Sequence, residues 1–383
     1  MNFTLAKVKE SNADRYILQT DSKYFSINEL LFEILSEYKT NSNYQNISSA
    51  VNKKFNDSDL TDKEFIESSI DQVKKMIEIG KNDSLKKTYI HNKFNILKDD
   101  AGDKIYNFLA FLFKKNTFSL TFTFLFIASF AFFYINGIGS TKMLEHFQKS
   151  LTWSYLLLYY LLFFGIIFFH EIGHATASYS FGAKPKEIGF GLYFIFPVMY
   201  TNTTNAWKLD KMKRITVNLG GIYFQLIINL GLILLYYFSH FKSFSLSLLI
   251  VNTISIMTSF NPFFRYDGYW IFSDYFDLQN LREKSNNFVQ NIIIHPLKTF
   301  SRIKNKDINI SLIVYSITNI LFWAYVYYVI ADYIIQRFTS LKIIFATGDY
   351  FSFSLLKIIF SMLFILIALF NLINKAITLK KLI

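Results

Sequence analysis

The chain has 383 residues, 52% of them hydrophobic, 19% aromatic and 18% charged, with 40 Lys+Arg against 28 Asp+Glu. Soluble domains carry about 25% charged residues, so this balance excludes a disordered chain and argues against an ordinary soluble enzyme. The absence of Cys removes disulfide frameworks, thiol nucleophiles and thiolate metal sites, leaving any metal to His, Asp or Glu.

Charge divides the chain. Residues 1–90 hold 13 Lys+Arg against 14 Asp+Glu, and the remainder holds 27 against 14. The first part reads as a soluble module. Short strands are predicted over 3–8, 15–20 and 23–27, followed by three helices. Leu30, Leu31, Ile34, Leu35 and Tyr38 share one face of the first helix, and the second spans about 44–55. The third opens on Thr61-Asp62-Lys63-Glu64, a capping-box pattern, and is expected to stop at Gly80. This order suggests a small α+β winged-helix-like domain over 1–90. Its net charge of −1 argues against DNA, whose affinity rests on Lys and Arg meeting phosphates, so no nucleic-acid partner is expected.

The arrangement resembles the PqqD-like recognition element of ribosomally made, modified peptides. That resemblance implies a precursor's leader peptide adding as a strand beside the third predicted strand, with Lys23, Tyr24, Phe25, Ser26 and Ile27 and the exposed face of 64–77 as the groove. A regulatory or purely structural cap is the other reading. Residues 91–117 read as a juxtamembrane linker or helix.

Six stretches are long and apolar enough to cross a bilayer, roughly 118–136, 151–174, 215–238, 243–264, 308–331 and 353–373. Residues 118–383 are therefore expected to form a mainly α-helical, polytopic membrane domain. Lys and Arg crowd the loops on one side, among them Lys114, Lys115, Lys208, Arg214, Arg282 and Arg302. Both termini are accordingly expected to be cytoplasmic, in a multi-pass protein of a bacterial cytoplasmic membrane.

The second span ends His170-Glu171-Ile172-Gly173-His174. On a helix, positions i and i+4 share a face, so His170 and His174 can bind one metal ion, and Glu171 beside them can take a proton from an attacking water. No charge lies between Lys149 and Glu171, and ionisable groups at membrane depth are costly and tend to be functional. A catalytic zinc takes three protein ligands. The third is expected to be Asp267, in Asn261-Pro262-Phe263-Phe264-Arg265-Tyr266-Asp267-Gly268, where Pro262 breaks the fourth span and Gly268 frees the backbone. Asp274 and Asp277 are the alternatives.

A transmembrane His-Glu-x-x-His followed by Asn-Pro and Asp-Gly near the end of a later span resembles the site-2 protease family of intramembrane zinc metallopeptidases, over roughly 150–280. The resemblance implies His170, His174 and Asp267 as Zn²⁺ ligands and Glu171 as general base. The Asn-Pro-x-x-Arg-x-Asp-Gly-Tyr-Trp variant resembles most closely the branch found beside peptide-maturation genes. Gly221-Ile222-Tyr223-Phe224-Gln225 stands where the family has a G-x-x-x-N type motif, and Gln225 departs from it, so no role carries over.

The implied chemistry is zinc-assisted hydrolysis of a peptide bond near the cytoplasmic face, falling off in mild acid as the imidazoles protonate. Asn261 either bonds substrate or only satisfies the broken helix end. Glu187 to Tyr193 is expected to offer an edge that holds substrate extended, with Gly189 and Gly191 either allowing close approach or marking a plain turn. Three functions remain open. One is maturation, by leader removal or excision, of a modified peptide whose partners would include its leader and an exporter. The second is cleavage of a transmembrane regulator, and the third a non-catalytic export or immunity component.

Overall fold

Alternating apolar side chains at the amino terminus build an antiparallel sheet in the computed structural model, which describes residues 3–8, 14–20, 24–41, 43–57, 60–84, 90–137, 153–193, 196–305 and 307–347. Strands β1 (Thr4–Val8), β2 (Arg15–Gln19) and β3 (Tyr24–Ile27) lie in the order β1-β2-β3. Leu18 stands opposite Leu5 on one side and Phe25 on the other, so these three share a face. Helices α1 (Glu29–Thr40), α2 (Tyr44–Phe55) and α3 (Lys63–Ser84) follow. Leu18 packs with Leu35 and Val73, while Ile34, Ile47, Val51, Ile66 and Ile70 form a neighbouring core. The side chain of Asn28 caps α1 by accepting from the Leu31 amide at 2.8 Å.

Two local expectations change. Thr61 is not the cap of α3. Its hydroxyl donates to Asn52 Oδ1 at 2.7 Å, and Asp62 Oδ1 accepts from the Phe65 amide at 2.7 Å instead. Helix α3 also runs through Gly80 to Ser84, since one glycine costs a helix only about 1 kcal/mol. Lys23 lies outside the described residues.

The other face of the sheet is covered in part. Val8, Arg15 and Ile17 point away from the helices, yet all are buried, Ile17 at 3% exposure. Arg15 Nη2 donates to the carbonyls of Trp207 (2.7 Å) and Leu209 (3.2 Å), and Tyr24 Oη donates to Asn205 Oδ1 (3.0 Å).

The expected linker is largely structured. It opens within β4 (Ile90–Lys98), which joins β5 (Glu187–Tyr193) and β6 (Phe196–Thr201) in a second antiparallel sheet of order β4-β5-β6. Strand β5 is thus central, paired on both sides, and offers no free edge. This corrects the expectation that Glu187 to Tyr193 holds a substrate. Gly189 is likewise filled: a Cβ there would lie 2.6 Å from the ring of Tyr200, its cross-strand partner. Gly191 stands opposite Val198 in the same ladder. After β4 come α4 (Asp99–Leu109), a 3-10 turn (Ala110–Phe113) and α5 (Lys115–Ile135).

Among the described residues, four helices are long and apolar enough to cross a membrane: Lys115–Ile135, Leu157–Ser180, Lys211–Phe238 and Ile310–Tyr333. The expected fourth span is α8 (Lys242–Ser259), an 18-residue helix that falls short of this standard. Its many Ser residues and Asn252 lower its hydropathy. The expected sixth span lies outside the described residues. Four of the six expected spans thus meet this standard among the described residues.

The core of the first unit, residues 1–275, is the packing of α6 (Trp153–Ser180) on α7 (Lys211–Phe238). The two backbones touch: a Cβ on Gly173 would lie 2.2 Å from the Gly220 carbonyl oxygen, and one on Gly220 would lie 2.6 Å from that of Gly173. Small residues permit such approach in membrane bundles. Helix α8 packs on α7, and α9 (Asp267–Tyr275) ends the unit. The second unit, residues 276–383, contains α10 (Leu281–Ile294), α11 (Pro296–Lys304) and α12 (Ile310–Thr347), with α10 packed on both others.

Candidate metal centre

Helix α6 delivers His170 and His174 one turn apart on the face pressed against α7, and both are buried. Asp267, the first residue of α9, meets them. His170 Nε2 lies 3.1 Å from His174 Nε2, 3.2 Å from Asp267 Oδ2, and His174 Nε2 lies 3.3 Å from Asp267 Oδ1. Bonds of about 2.0 Å to a tetrahedral ion place ligand atoms about 3.3 Å apart, so the spacing fits zinc. Among the described residues this is the group of three His, Asp or Glu side chains that could hold a metal ion.

The proton inventory points the same way. His174 Nδ1 lies 2.8 Å from the Val217 carbonyl, which can only accept, so Nδ1 carries the hydrogen and Nε2 the lone pair in the neutral ring. His170 Nδ1 lies 2.9 Å from Gln225 Oε1. Asp267 Oδ2 is buried without a hydrogen-bond partner, because its 3.2 Å approach to His170 Nε2 lacks hydrogen-bond geometry. Electron-rich atoms converging in this way repel one another unless a cation sits between them.

A cavity of about 570 Å³ opens beside this cluster, lined by Glu171, His174, Asp267, Thr201, Trp207 and Arg265 among others. Strand β6 is tied to the motif by Thr201, whose hydroxyl donates to the Glu171 carbonyl at 3.0 Å. Tyr200, on the same strand, has its phenol pKa raised by burial and by the neighbouring Glu187. Helix α9 is held against α7 by Arg214, whose Nε donates to Asp274 Oδ1 at 2.7 Å, and Asn218 donates to Asp274 Oδ2 at 3.3 Å. Asp274 is thus engaged with Arg214, while Asp267 faces the histidines. Asp210 caps α7. Burial works against its carboxylate, but Lys213 outweighs this and holds the pKa below the ordinary value.

The structure brings His170, Glu171, His174 and Asp267 to one place. It does not bring Asn261 into the cavity lining: Asn261 Oδ1 accepts from the Phe263 amide at 2.8 Å, turning the chain after α8. Gly189 and Gly191 lie within the central strand. Tyr24, Phe25, Ser26 and Ile27 form β3, an edge strand of the amino-terminal sheet. Sequence reasoning gave Gln225 and Arg214 no role in the site, and weighed Asp274 only as an alternative metal ligand, whereas here it pairs with Arg214. For Gln225 the available signal was a polar residue within an apolar span.

No family model matches the chain, and no solved structure matches it. Among curated proteins it is similar to one of Bacillus subtilis (strain 168) named "Putative peptide zinc metalloprotease protein YydH". The two are 28% identical over 221 residues, which cover 52% of this chain and 79% of the relative.

Proposed function

We propose that this chain is a membrane zinc metallopeptidase of the site-2 protease kind, which matures a ribosomally made, modified peptide captured by its amino-terminal module. The observation that carries the reading is the convergence of His170, His174 and Asp267 at tetrahedral spacing, with Glu171 on the wall of the adjoining cavity. The relative's name, a peptide zinc metalloprotease, agrees with it.

His170, His174 and Asp267 would hold the ion. Bound zinc supplies the positive charge that acidifies a water and polarises the scissile carbonyl. Glu171 takes the proton of the attacking water and returns it to the leaving amine. The apolar walls of α6 and α7 limit bulk water, so the polar cavity is the route by which water and peptide meet. A peptide bond must be extended to be cut. The edge that lines the cavity belongs to β6, where Met199, Tyr200 and Thr201 face it. Both termini lie on the cytoplasmic side in this reading, because the Lys- and Arg-rich loops share that side.

The position of the amino-terminal module favours peptide capture over a detached cap. Arg15 and Tyr24 hold it on residues 205–209, and Trp207 of that segment lines the cavity. A leader bound along β3 would enter beside the catalytic wall. The test is full-length protein in detergent, incubated with candidate precursor peptides and followed by mass spectrometry. One discrete cut is expected, abolished by a chelator and restored by zinc. Cleavage indifferent to the chelator would overturn the proposal.

A further inference from the structure

A file of uncharged polar side chains leads away from His170 into the bundle, and neither the cavity nor the proton transfer uses it. Gln225, Asn229 and Asn252 are all fully buried. Gln225 Nε2 donates to Asn252 Oδ1 at 2.9 Å and to Ser255 Oγ at 3.1 Å. Asn252 Nδ2 donates to the Gln225 carbonyl at 3.0 Å and to Asn229 Oδ1 at 2.8 Å. Asn229 Nδ2 donates to Thr253 Oγ1 at 3.1 Å.

Amide orientation is inferred from such networks, and here each amide fixes the next. Asn252 spends both Nδ2 hydrogens on oxygens, one of them a backbone carbonyl, so its Oδ1 must accept. Gln225 therefore presents Nε2 to Asn252, which leaves Oε1 facing His170 Nδ1 at 2.9 Å. An amide oxygen has no hydrogen to give. His170 must then carry its proton on Nδ1 and direct the Nε2 lone pair at Asp267 and His174. A Cβ on Gly221 would lie 2.5 Å from the His170 ring, so the close α7 backbone limits the ring's alternatives.

We propose that Gln225, locked by Asn252, is the positioning residue that holds His170 in its metal-binding tautomer. The two ligand histidines differ in this respect. His174 is oriented by a backbone carbonyl, whereas the orientation of His170 rests on a side chain, and partners of this kind set metal affinity by about 10–100-fold. An amide does the work without adding a charge to an apolar bundle. The inference rests on the metal-site reading above, and the experiment separates the two.

The full-length protein in detergent is titrated with zinc against a competing chelator. Wild type that binds no zinc would sink the metal-site reading itself. Given binding by wild type, Gln225→Leu is expected to weaken it about 10–100-fold. Gln225→Glu is expected to stay within a few-fold of wild type. Burial keeps that carboxyl protonated, with an acceptor for His170 and a donor for Asn252. Equal losses in the Leu and Glu variants would mean packing alone, and unchanged affinity in Gln225→Leu would mean no role; either overturns the inference. Should Gln225→Leu fail to fold, Asn252→Leu decides: weakening supports the lock, and unchanged affinity overturns it.

Discussion

The bundle around His170 and the amino-terminal module differ in how their residues carry information. In the bundle, the proposed function rests on a few atoms: two Nε2 lone pairs and a carboxylate within 3.3 Å of one another. In the module, the proposed peptide capture rests on a surface. One sheet face packs on helices, the other on residues 205–209, and β3 lies at an edge. Point chemistry survives in a motif, whereas a surface survives only as periodicity. Single substitutions should therefore be decisive in the bundle and graded in the module.

The sharpest test of that contrast is Glu171→Gln, which keeps shape and removes the base. Hydrolysis of a peptide substrate should fall by about 10²–10⁴-fold, while bound zinc, measured by mass spectrometry, stays at the wild-type level. Removing residues 1–85 should weaken precursor binding by about tenfold or more, a loss of about 1.4 kcal/mol, with zinc retained; calorimetry would read it. Unchanged affinity would remove the module from recognition. Gly173→Ala should destabilise the α6–α7 contact by about 1–3 kcal/mol, because its Cβ meets the Gly220 carbonyl; a thermal melt reads it. The smallest effect is expected in the module, where Asn28→Ala removes the α1 cap and costs about 1 kcal/mol in a denaturant titration.

The same contrast explains what the sequence disclosed. Helix α2 matches its expected range, and the three amino-terminal strands fall within their predicted stretches. That Asp267 comes beside His170 and His174 was legible because Pro262 follows α8 at the end of the bundle where His174 lies. What escaped was non-local. Residues 91–98 read as part of a linker or helix, since the pairing partner of β4, β5, lies about 90 positions on, and without that partner β5 looked like an edge. Helix α8 read as a plain apolar span from its Leu and Ile, which hid that Asn252, Ser245 and Ser247 face the interior. Gln225 appeared only as a departure from a motif. With Asn229 four residues on and Asn252 across the helix pair, it instead forms a polar seam that becomes visible once α7 and α8 are packed.

Zinc stoichiometry of the purified full-length chain tests the central claim most directly. One ion per chain is expected for wild type, and close to none for His174→Ala and for Asp267→Ala. A wild-type chain without zinc after loading, or an Asp267→Ala variant that binds it as tightly as wild type, would contradict the account.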